Sequence, residues 1–248
     1  MSKVAIVTGA SRGIGRVVAL KLAGNGYDVC VNYHSNERAA LDVVAKIEAL
    51  GQRAIAVQAD VAIEADIVRM FEIVDGRLGV VTALVNNAGI IQPQMSLLDM
   101  DAARINKIMQ TNVTGTMICC REAAKRMSND LGGVGGAIVN LSSAAAKHGS
   151  AGEYVDYAAS KGAVDTLTKG IALELAAKGV RVNAVRPGII DTEIHASGGV
   201  ADRFDKLGKS MPMGRGGTPE EVADVICYLL SDAASYVTAT IVDVAGGR

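Results

Sequence analysis

A tyrosine and a lysine, Tyr157 and Lys161, have the residue types and the spacing to perform proton chemistry. Positions four residues apart lie on one face of a helix, one turn from each other. A positive charge beside a phenol favours the phenolate, so Lys161 is expected to lower the pKa of Tyr157 below its usual value of about 10. Such a phenol could donate or accept a proton near neutral pH. The same spacing also fits two solvated residues of a surface helix, and the surrounding sequence must decide between them.

A glycine-rich segment follows the first predicted strand, residues 4–8, which is a β-branched run typical of a strand buried on both faces. Glycines there let the backbone turn sharply and approach phosphate groups at the N-terminus of the next helix. The spacing is G-x-x-x-G-x-G rather than G-x-G-x-x-G, but the position between a strand and a helix is the required one. A turn without a ligand is the alternative. The predicted dinucleotide contacts here are Gly9, Ser11, Arg12, Gly13, Ile14 and Gly15.

The end of the second predicted strand bears on which dinucleotide binds. It reads NYHS, and no acid follows until Glu37. An acid at this point accepts hydrogen bonds from the adenosine ribose, whereas a 2′-phosphate requires a cation. Arg12 is a fixed cation within reach, and His34 is a pH-dependent one. NADP(H) is therefore favoured and NAD(H) is possible, with Tyr33 and His34 as predicted contacts; an exposed loop histidine is the alternative for His34.

Two later strand ends carry polar residues suited to the same ligand. Asp60 follows the third strand, where it can accept from an adenine amino group or cap the next helix. The fourth strand ends in two amides and two small residues, which let the chain pass close to a ligand. Ligands in parallel sheets bind outside the carboxyl ends of the strands. The predicted contacts from these ends are Asp60, Val61, Asn86, Ala88 and Gly89.

Strand and helix patterns alternate along the whole chain. Such alternation is typical of parallel strands joined by right-handed crossovers, with helices on both faces. We predict an α/β fold: a single doubly wound Rossmann domain over residues 1–248 with a parallel sheet of about seven strands. Residues 189–218 lack a pattern and are predicted to form a substrate lid. The predicted strands are 4–8, 28–33, 54–59, 83–86, 137–141, 180–185 and 239–244, and the predicted helices are 16–25, 37–50, 64–78, 101–127, 154–178 and 219–230.

Composition excludes several classes of partner. The 248 residues carry a net charge of −1 and only 3% aromatic residues, which argues against nucleic acid and anionic membrane surfaces. No apolar stretch approaches the roughly 20 residues of a membrane span, and no leader pattern opens the sequence. The cysteines lack CxxC or metal-ligand spacing, so a metal-independent cytoplasmic protein with reduced thiols is expected. They are Cys30, Cys119, Cys120 and Cys227.

Five motifs occur in order at suitable strand ends: Thr8-Gly-x-x-x-Gly-x-Gly, Asn86-Asn87-Ala88-Gly89, the pair Ser142 and Ser143, Tyr157-x-x-x-Lys161, and Pro187-Gly188. With them the chain resembles the short-chain dehydrogenase/reductase family over essentially its whole length. Within that family it is similar to the 3-oxoacyl-carrier-protein reductase and glucose 1-dehydrogenase-like branch. The resemblance implies an oxidoreductase that interconverts a ketone and a secondary alcohol by hydride transfer.

The resemblance also implies roles for individual residues. Tyr157 would pass a proton to the carbonyl oxygen of the substrate while the nicotinamide delivers hydride to the carbon. Lys161 would hold the nicotinamide ribose, and Ser143 would donate a hydrogen bond to the same carbonyl oxygen. Asn112 matches an asparagine that holds a water in the proton relay, although its position also fits an exposed polar residue in a helix. The residues expected to face the nicotinamide are Pro187, Gly188, Ile190 and Thr192.

The segment between the predicted serine and the tyrosine departs from the family. Thirteen residues separate Ser143 from Tyr157, one more than is usual, which leaves the choice between Ser142 and Ser143 open with Ser143 preferred. The extra residue is placed within residues 147–156 as a bulge beside the substrate. The polar and aromatic residues of this loop and of the lid either line the substrate pocket or are solvated; they are His148, Glu153, Tyr154 and His195.

Two further interpretations concern partners and activity. The predicted helices 101–127 and 154–178 have more apolar positions than one sheet face can cover, and family members commonly pair these helices. A homo-oligomer, dimer or tetramer, is therefore expected, acting on a small-molecule substrate. The alternatives to an NADP-dependent enzyme are the same chemistry with NAD and a dinucleotide-binding sensor or interaction protein without catalysis.

Overall fold

Seven parallel strands form one sheet in a computed structural model that describes residues 3–193, 198–200 and 203–248. Their order across the sheet is 3-2-1-4-5-6-7, and every neighbouring pair is parallel. The predicted doubly wound α/β sheet is confirmed. Strand order reverses between the first and fourth strands, where a crevice opens at the carboxyl ends. The strands are β1 (Lys3–Val7), β2 (Tyr27–Tyr33), β3 (Ala54–Gln58), β4 (Ala83–Asn86), β5 (Gly136–Leu141), β6 (Val180–Pro187) and β7 (Ile241–Val244).

Helices connect the strands and cover the sheet on both faces. A π-helical turn (Gln110–Thr114) and short 3-10 turns interrupt or follow them. The helices are α1 (Gly13–Gly24), α2 (Glu37–Ala49), α3 (Glu64–Arg77), α4 (Ala102–Met109), α5 (Gly115–Met127), α6 (Ala145–His148), α7 (Val155–Leu175), α8 (Arg203–Gly208) and α9 (Pro219–Leu230). The 3-10 turns are Leu97–Asp99, Asn129–Leu131, Ala176–Lys178 and Asp232–Ala234.

The period of two along each strand divides the core into two layers. On β1, Ala5 and Val7 pack with α1, α2 and α9, whereas Val4 and Ile6 face the opposite layer with α3, α5 and α7. All four side chains are at most 1% exposed. Because both faces are buried, the strands are continuous β-branched and aliphatic runs rather than alternating polar and apolar ones.

Side-chain hydrogen bonds cap the N-terminus of α9. The Thr218 hydroxyl accepts a hydrogen bond from the Glu221 backbone N–H at 3.3 Å, and the Glu221 carboxylate accepts from the Thr218 N–H at 2.8 Å. This is a capping box, with Pro219 in the first helical turn. No helix in the described part of the chain is long and apolar enough to cross a bilayer.

Several predicted boundaries are wrong. The helical region expected over 101–127 is present as α4, the π turn and α5 in direct succession, and the π turn holds one residue more per turn than an α-helix. β6 extends to Pro187, and β7 begins only at Ile241, since Ala239 has a φ of +58° that ends the extended conformation.

The two loops expected to be without elements also contain helices. α6 occupies the beginning of the loop before Tyr157, and left-handed Gly149, Ser150 and Gly152 then turn the chain toward α7. α8 lies within the predicted lid at 189–218. His195 and its neighbours at 194–197 and 201–202 lie outside the described residues.

Candidate active site

A cleft of about 600 Å³ opens at the carboxyl ends of the strands, across the point where strand order reverses. Most of the predicted cofactor and catalytic residues line it. The structure thus brings together residues that are up to about 180 positions apart in the chain. Those on its wall are Gly9, Ser11, Arg12, Gly13, Ile14, His34, Asp60, Val61, Ala88, Gly89, Ser143, Tyr157, Lys161, Pro187, Gly188, Ile190 and Thr192.

The glycine turn packs tightly against the segment after β4. Gly9 and Gly13 have φ values of +63° and +54°, which β-carbons disfavour. A Cβ on Gly15 would lie 2.4 Å from Nδ2 of Asn87 and 2.6 Å from the Gly9 carbonyl oxygen. The Asn87 amide donates to the carbonyls of Thr8 and Gly9 at 2.8 and 3.0 Å. Gly15 therefore allows the turn to dock on Asn87 and does not itself line the cleft.

The cleft fits the phosphates of a dinucleotide. α1 begins at Gly13 without a side-chain cap and without an acid in its first turn, so its first N–H groups face the cleft with a partial positive charge. A Cβ on Gly13 would meet Thr192 at 3.6 Å, and a Cβ on Gly89 would lie 3.5 Å from Nζ of Lys161. Side chains at these glycines would fill the space between the phosphate turn and the opposite wall.

The outer end of the cleft carries His34 and Asp60. Their side chains are 72% and 34% exposed, and His34 Nε2 lies 3.6 Å from Asp60 Oδ2. Asp60 Oδ1 accepts from the Ala62 N–H at 2.9 Å, a local turn rather than the helix cap considered from the sequence, because the N-cap of α3 is Ile63. Arg12 is exposed at the same end. The Arg12 guanidinium and the His34 imidazole therefore both lie near the place where the second strand lacks an acid.

Two other predicted cofactor contacts have their side chains elsewhere. Tyr33 is 6% exposed and belongs to the core layer of α1, α2 and α9. The Asn86 amide donates to Asn140 Oδ1 at 2.8 Å and contacts Cys120, on the layer of α5. Neither side chain lines the cleft, because each strand residue points to only one side of the sheet.

The predicted catalytic pair lies on α7, at the floor of the cleft. Lys161 is 5% exposed, and its Nζ donates to the Leu141 carbonyl at 2.7 Å and lies 5.6 Å from the centroid of the Tyr157 ring. Burial lowers the pKa of Lys161 to about 8, against the opposing effect of Asp165. The surface-pair alternative is therefore wrong for Lys161, which is inside the protein.

The expected direction of the Tyr157 pKa shift is wrong. Loss of water around the phenol raises the pKa of Tyr157, and a hydrogen bond with Ser143 lowers it by less. The physical reason is that the phenol is itself buried, and the cost of removing water from the phenolate outweighs the hydrogen bond with Ser143. Around neutral pH the phenol therefore holds its proton.

The two serines after β5 have different hydrogen-bond partners. The Ser142 hydroxyl is buried and donates to the Lys161 carbonyl at 3.1 Å, which ties the strand end to α7. Ser143 Oγ accepts from the Ala145 N–H at 3.1 Å, so its proton is available to the Tyr157 phenol. Ser143 is the serine in contact with the tyrosine, and it stays the predicted catalytic one.

Asn112 lies in the π turn and is 1% exposed, so the interpretation as an exposed polar residue is wrong. Its Oδ1 accepts from the Ile90 N–H at 2.8 Å, and its Nδ2 donates to the Ile90 carbonyl at 3.0 Å and to Ser160 Oγ at 3.1 Å. The side chain therefore fixes the segment after β4 against the helix that carries Tyr157. π turns often mark functional sites.

A second, smaller cavity of about 110 Å³ adjoins the cleft. Ser143, Tyr157 and Gly188 line both, so the phenol lies where the two spaces meet. Its remaining wall is mostly apolar: Ile91, Ala144, Ala145, Tyr154 and Ile189, with His148, Gly198 and Arg248 at the edge. Glu153 is not among these residues. Met211 and Met213 line a neighbouring cavity instead.

Two residues that position the cofactor turn were missed from the sequence. Asn32 is 2% exposed, and its Oδ1 accepts from the Gly9 N–H at 3.1 Å. Asn87 holds the same turn from the other side. The signal for Asn32 was a polar residue near the end of a largely apolar strand, since buried amides must find hydrogen-bond partners. The described residues contain no group of His, Cys, Asp and Glu that could hold a metal ion.

Comparisons with known proteins agree with this architecture. Residues 9–248 match the family model described as enoyl-(acyl carrier protein) reductase. The chain is 56% identical over 245 residues to the uncharacterized oxidoreductase YgfF of Escherichia coli K12, with 99% of each chain covered. It is 38% identical over 248 residues to the 3-oxoacyl-(acyl-carrier-protein) reductase FabG of Staphylococcus aureus Mu50, covering 100% of this chain and 98% of the relative.

Two solved structures are similar over their whole lengths. Acetoin dehydrogenase YohF from Salmonella typhimurium has 35% identity and a TM-score of 0.87, with 100% of this chain and 97% of that chain covered. A short-chain dehydrogenase from Burkholderia cenocepacia J2315 in complex with NADP has 33% identity and a TM-score of 0.91, with 100% and 98% covered.

Proposed function

Because the chain belongs to the short-chain dehydrogenase/reductase family of oxidoreductases, we propose that it interconverts a ketone and a secondary alcohol with NADP(H), using Tyr157 as the acid/base. The main support for this proposal is that Tyr157 and Ser143 lie where the large cleft meets the small cavity. A cofactor in the cleft and a carbonyl group in the cavity would thus meet at the phenol. Two similar proteins are consistent with this chemistry: one is a 3-oxoacyl-(acyl-carrier-protein) reductase and one an acetoin dehydrogenase, and both a 3-oxoacyl group and acetoin contain a ketone.

The side chains divide the work of proton transfer. A nicotinamide dinucleotide, when bound in the cleft, supplies the hydride. Ser143 directs its proton toward the phenol and the place of a carbonyl oxygen, because its oxygen already accepts from the Ala145 N–H. Tyr157 gives its proton to that oxygen as negative charge develops there. Lys161 uses one N–H on Leu141, and its charge stabilises the resulting phenolate.

The preference for NADP(H) over NAD(H) rests on the charges at the outer end of the cleft. β2 contributes no acid there, and Arg12 and His34 can face a 2′-phosphate. The similar Burkholderia short-chain dehydrogenase was solved in complex with NADP. Asp60 beside His34 is the feature that favours the alternative, NAD(H), because its carboxylate can accept from ribose hydroxyls.

Replacement of Arg12 by Ala tests this preference. We expect the Kd for NADPH to rise about 10- to 100-fold, because a charge-assisted hydrogen bond contributes about 1.5–3 kcal/mol. The Kd for NADH should change less than about threefold. Arg16→Ala is the matched control, since Arg16 is an exposed residue of α1 that does not line the cleft. Fluorescence titration of both cofactors measures the four constants; equal losses for NADPH and NADH would contradict the phosphate contact.

We also propose that the protein is a cytoplasmic homo-oligomer. Met117 on α5 and Leu173 on α7 are 49% and 75% exposed, on helices that the sequence marked as too apolar for one sheet face. Cys30, Cys119, Cys120 and Cys227 are all free thiols, as in a reducing compartment. Light scattering at micromolar concentration is expected to give a dimer or tetramer, and Leu173→Glu should reduce that mass. A wild-type monomer would contradict the proposal.

A further inference from the structure

One carboxylate oxygen of Asp165, close to Lys161, is buried without a hydrogen-bond partner in the part of the molecule that the structure describes. Among the described residues, two buried side-chain atoms lack a hydrogen-bond partner, and one is Asp165 Oδ1. Asp165 lies four residues after Lys161 on α7, so the two side chains share a helix face one turn apart. Both residues are buried, at 7% and 5% exposure. A carboxylate in this position exerts its charge on the ammonium with little screening by water.

Arg186 holds the other oxygen of that carboxylate. Its Nε and Nη2 donate to Asp165 Oδ2 at 2.9 and 2.7 Å, and the Asp165 side chain is 10% exposed. Both donors reach one oxygen, which leaves Oδ1 unpaired. Arg186 also contacts Asp243 at 3.4 Å, and Asp243 pairs with Lys147 at 2.9 Å. The arginine is thus shared between two acids and only partly neutralises Asp165.

We propose that Asp165 is a positioning residue that keeps Lys161 charged at neutral pH, and that Arg186 sets how much of the carboxylate charge the lysine experiences. This inference rests on the proposed function, in which a charged Lys161 stabilises the Tyr157 phenolate. Burying an ion pair costs desolvation free energy, and an apolar pair of similar volume could connect α7 with β6 equally well. Asp165 lies one helical turn from Lys161, where its negative charge can stabilise the ammonium.

The direction of the effect follows from burial. Desolvation lowers the pKa of Lys161 from its ordinary 10.5 to about 8, and Asp165 is the acid that opposes this fall. Tyr157 is the titratable group on the preceding turn. α7 packs against α4, the π turn, α5, α6, β5, the 3-10 turn Ala176–Lys178 and β6. Their titratable and charged residues are Arg104, Lys107, Cys119, Cys120, Arg121, Glu122, Lys125, Arg126, Lys147, His148, Lys178, Arg181 and Arg186.

Only one residue on those packing elements is acidic, Glu122, and it is paired with Arg121, Lys125 and Arg126. Asp156, on the first turn of α7, is paired with Arg104. Without Asp165, burial, which favours the neutral amine of Lys161, is therefore no longer opposed by an acid that acts on it. Removal of the Asp165 carboxylate should therefore make Lys161 lose its proton at lower pH, whereas removal of the Arg186 guanidinium should not.

Asp165→Asn and Arg186→Met separate this role from a structural one. At saturating NADPH, kcat/KM is measured against pH with the best ketone of a panel that includes a 3-oxoacyl thioester. In Asp165→Asn the alkaline limb is expected to move down by about one pH unit, because the lysine loses its proton earlier. In Arg186→Met it should not move down, since the carboxylate remains and is less neutralised. Asp165→Glu, which keeps the charge, should restore most of the shift.

A purely structural pair predicts equal effects, because either substitution removes the same contact. Equal downward shifts in both variants, or no shift in Asp165→Asn, would overturn the inference. A second measurement does not depend on catalysis, so it tests the role of Asp165 even if the proposed function is wrong. Lys161 has a lowered pKa in the folded protein, so the wild type gains stability relative to Lys161→Met as pH rises from about 8 to 10.5.

That gain in stability, measured by urea unfolding of the ligand-free protein, should begin about one pH unit lower in Asp165→Asn. If the wild type reduces no ketone of the panel, the proposed function fails while this titration still decides the role of Asp165. An unchanged onset in Asp165→Asn would reject the role even in an active enzyme.

Discussion

Tyr157→Phe is expected to lower kcat for ketone reduction by about 10³-fold while the Kd for NADPH stays within a few-fold of wild type. The substitution removes the phenol hydroxyl that stands where the cleft meets the small cavity, and a positioned general acid contributes about 10²–10⁴-fold. Its ring volume is almost unchanged, so the packing of α7 and the cleft should persist. Steady-state kinetics followed by NADPH absorbance, with fluorescence titration for binding, measures both quantities.

Tyr154→Phe is the matched control for this prediction. Tyr154 also lines the small cavity, but its hydroxyl donates to the Gly198 carbonyl at 3.1 Å. Loss of that hydroxyl should change KM more than kcat, and by less than about tenfold, since one neutral hydrogen bond contributes about 0.5–1.5 kcal/mol. If Tyr157→Phe kept more than a tenth of wild-type kcat, or if the two variants lost the same amount, the acid/base assignment would be rejected.

Burial raises the pKa of Tyr157 and lowers the pKa of Lys161, and both shifts bear on how the pair would act. The sequence suggests a phenol made acidic by a nearby ammonium, whereas the folded chain removes both groups from water and so disfavours both charged forms. A protonated phenol suits reduction, in which it donates. The ammonium is needed only once the phenolate forms, and an acid one turn away retains that charge at neutral pH. Burial and the surrounding charges thus complement each other within two turns of α7.

The parts of the fold that could be predicted are those that depend on short-range patterns. Aliphatic runs of strand length separated by helical periods dictate parallel strands, and the cleft then follows from strand order. The glycine turn and the Tyr157–Lys161 spacing are local too, so their places at strand end and helix face were correct. Capping at Thr218 belongs to the same class.

The parts that could not be predicted depend on contacts between distant segments. The direction of the Asn112 side chain is set by a π turn that no residue type announces, and its partner Ile90 lies 22 positions away. Whether Ser142 or Ser143 reaches the phenol depends on the twist at the end of β5. Asn32, near the end of β2, bonds to Gly9 across 23 positions. The polar residue type is visible in the sequence, but its partner in the glycine turn is defined only once neighbouring strands are in register.

Asn32→Ala is expected to destabilise the protein by about 3–5 kcal/mol and to weaken NADPH binding at least about tenfold. The Asn32 amide accepts from the Gly9 N–H and donates to the carbonyls of Val57 and Ala59 at 3.2 and 3.1 Å. Alanine leaves these backbone groups buried without the amide, each at about 1–3 kcal/mol. Gly9 would also lose the contact that holds its left-handed turn beneath the phosphates. Urea unfolding and cofactor titration of the folded protein measure the two effects.

Asn140→Ala is the matched control, because Asn140 is as deeply buried as Asn32 but bonds to side chains rather than to the glycine turn. Its partners are Asn86 and Thr168, at 2.8 and 2.9 Å. Side chains can turn to find new partners, so a smaller loss of about 1–3 kcal/mol is expected, with NADPH affinity unchanged. Equal losses of affinity in both variants would mean that general destabilisation, rather than the link from β2 to Gly9, governs binding. A loss confined to Asn32→Ala would establish that a buried strand amide shapes the phosphate site from within the sheet.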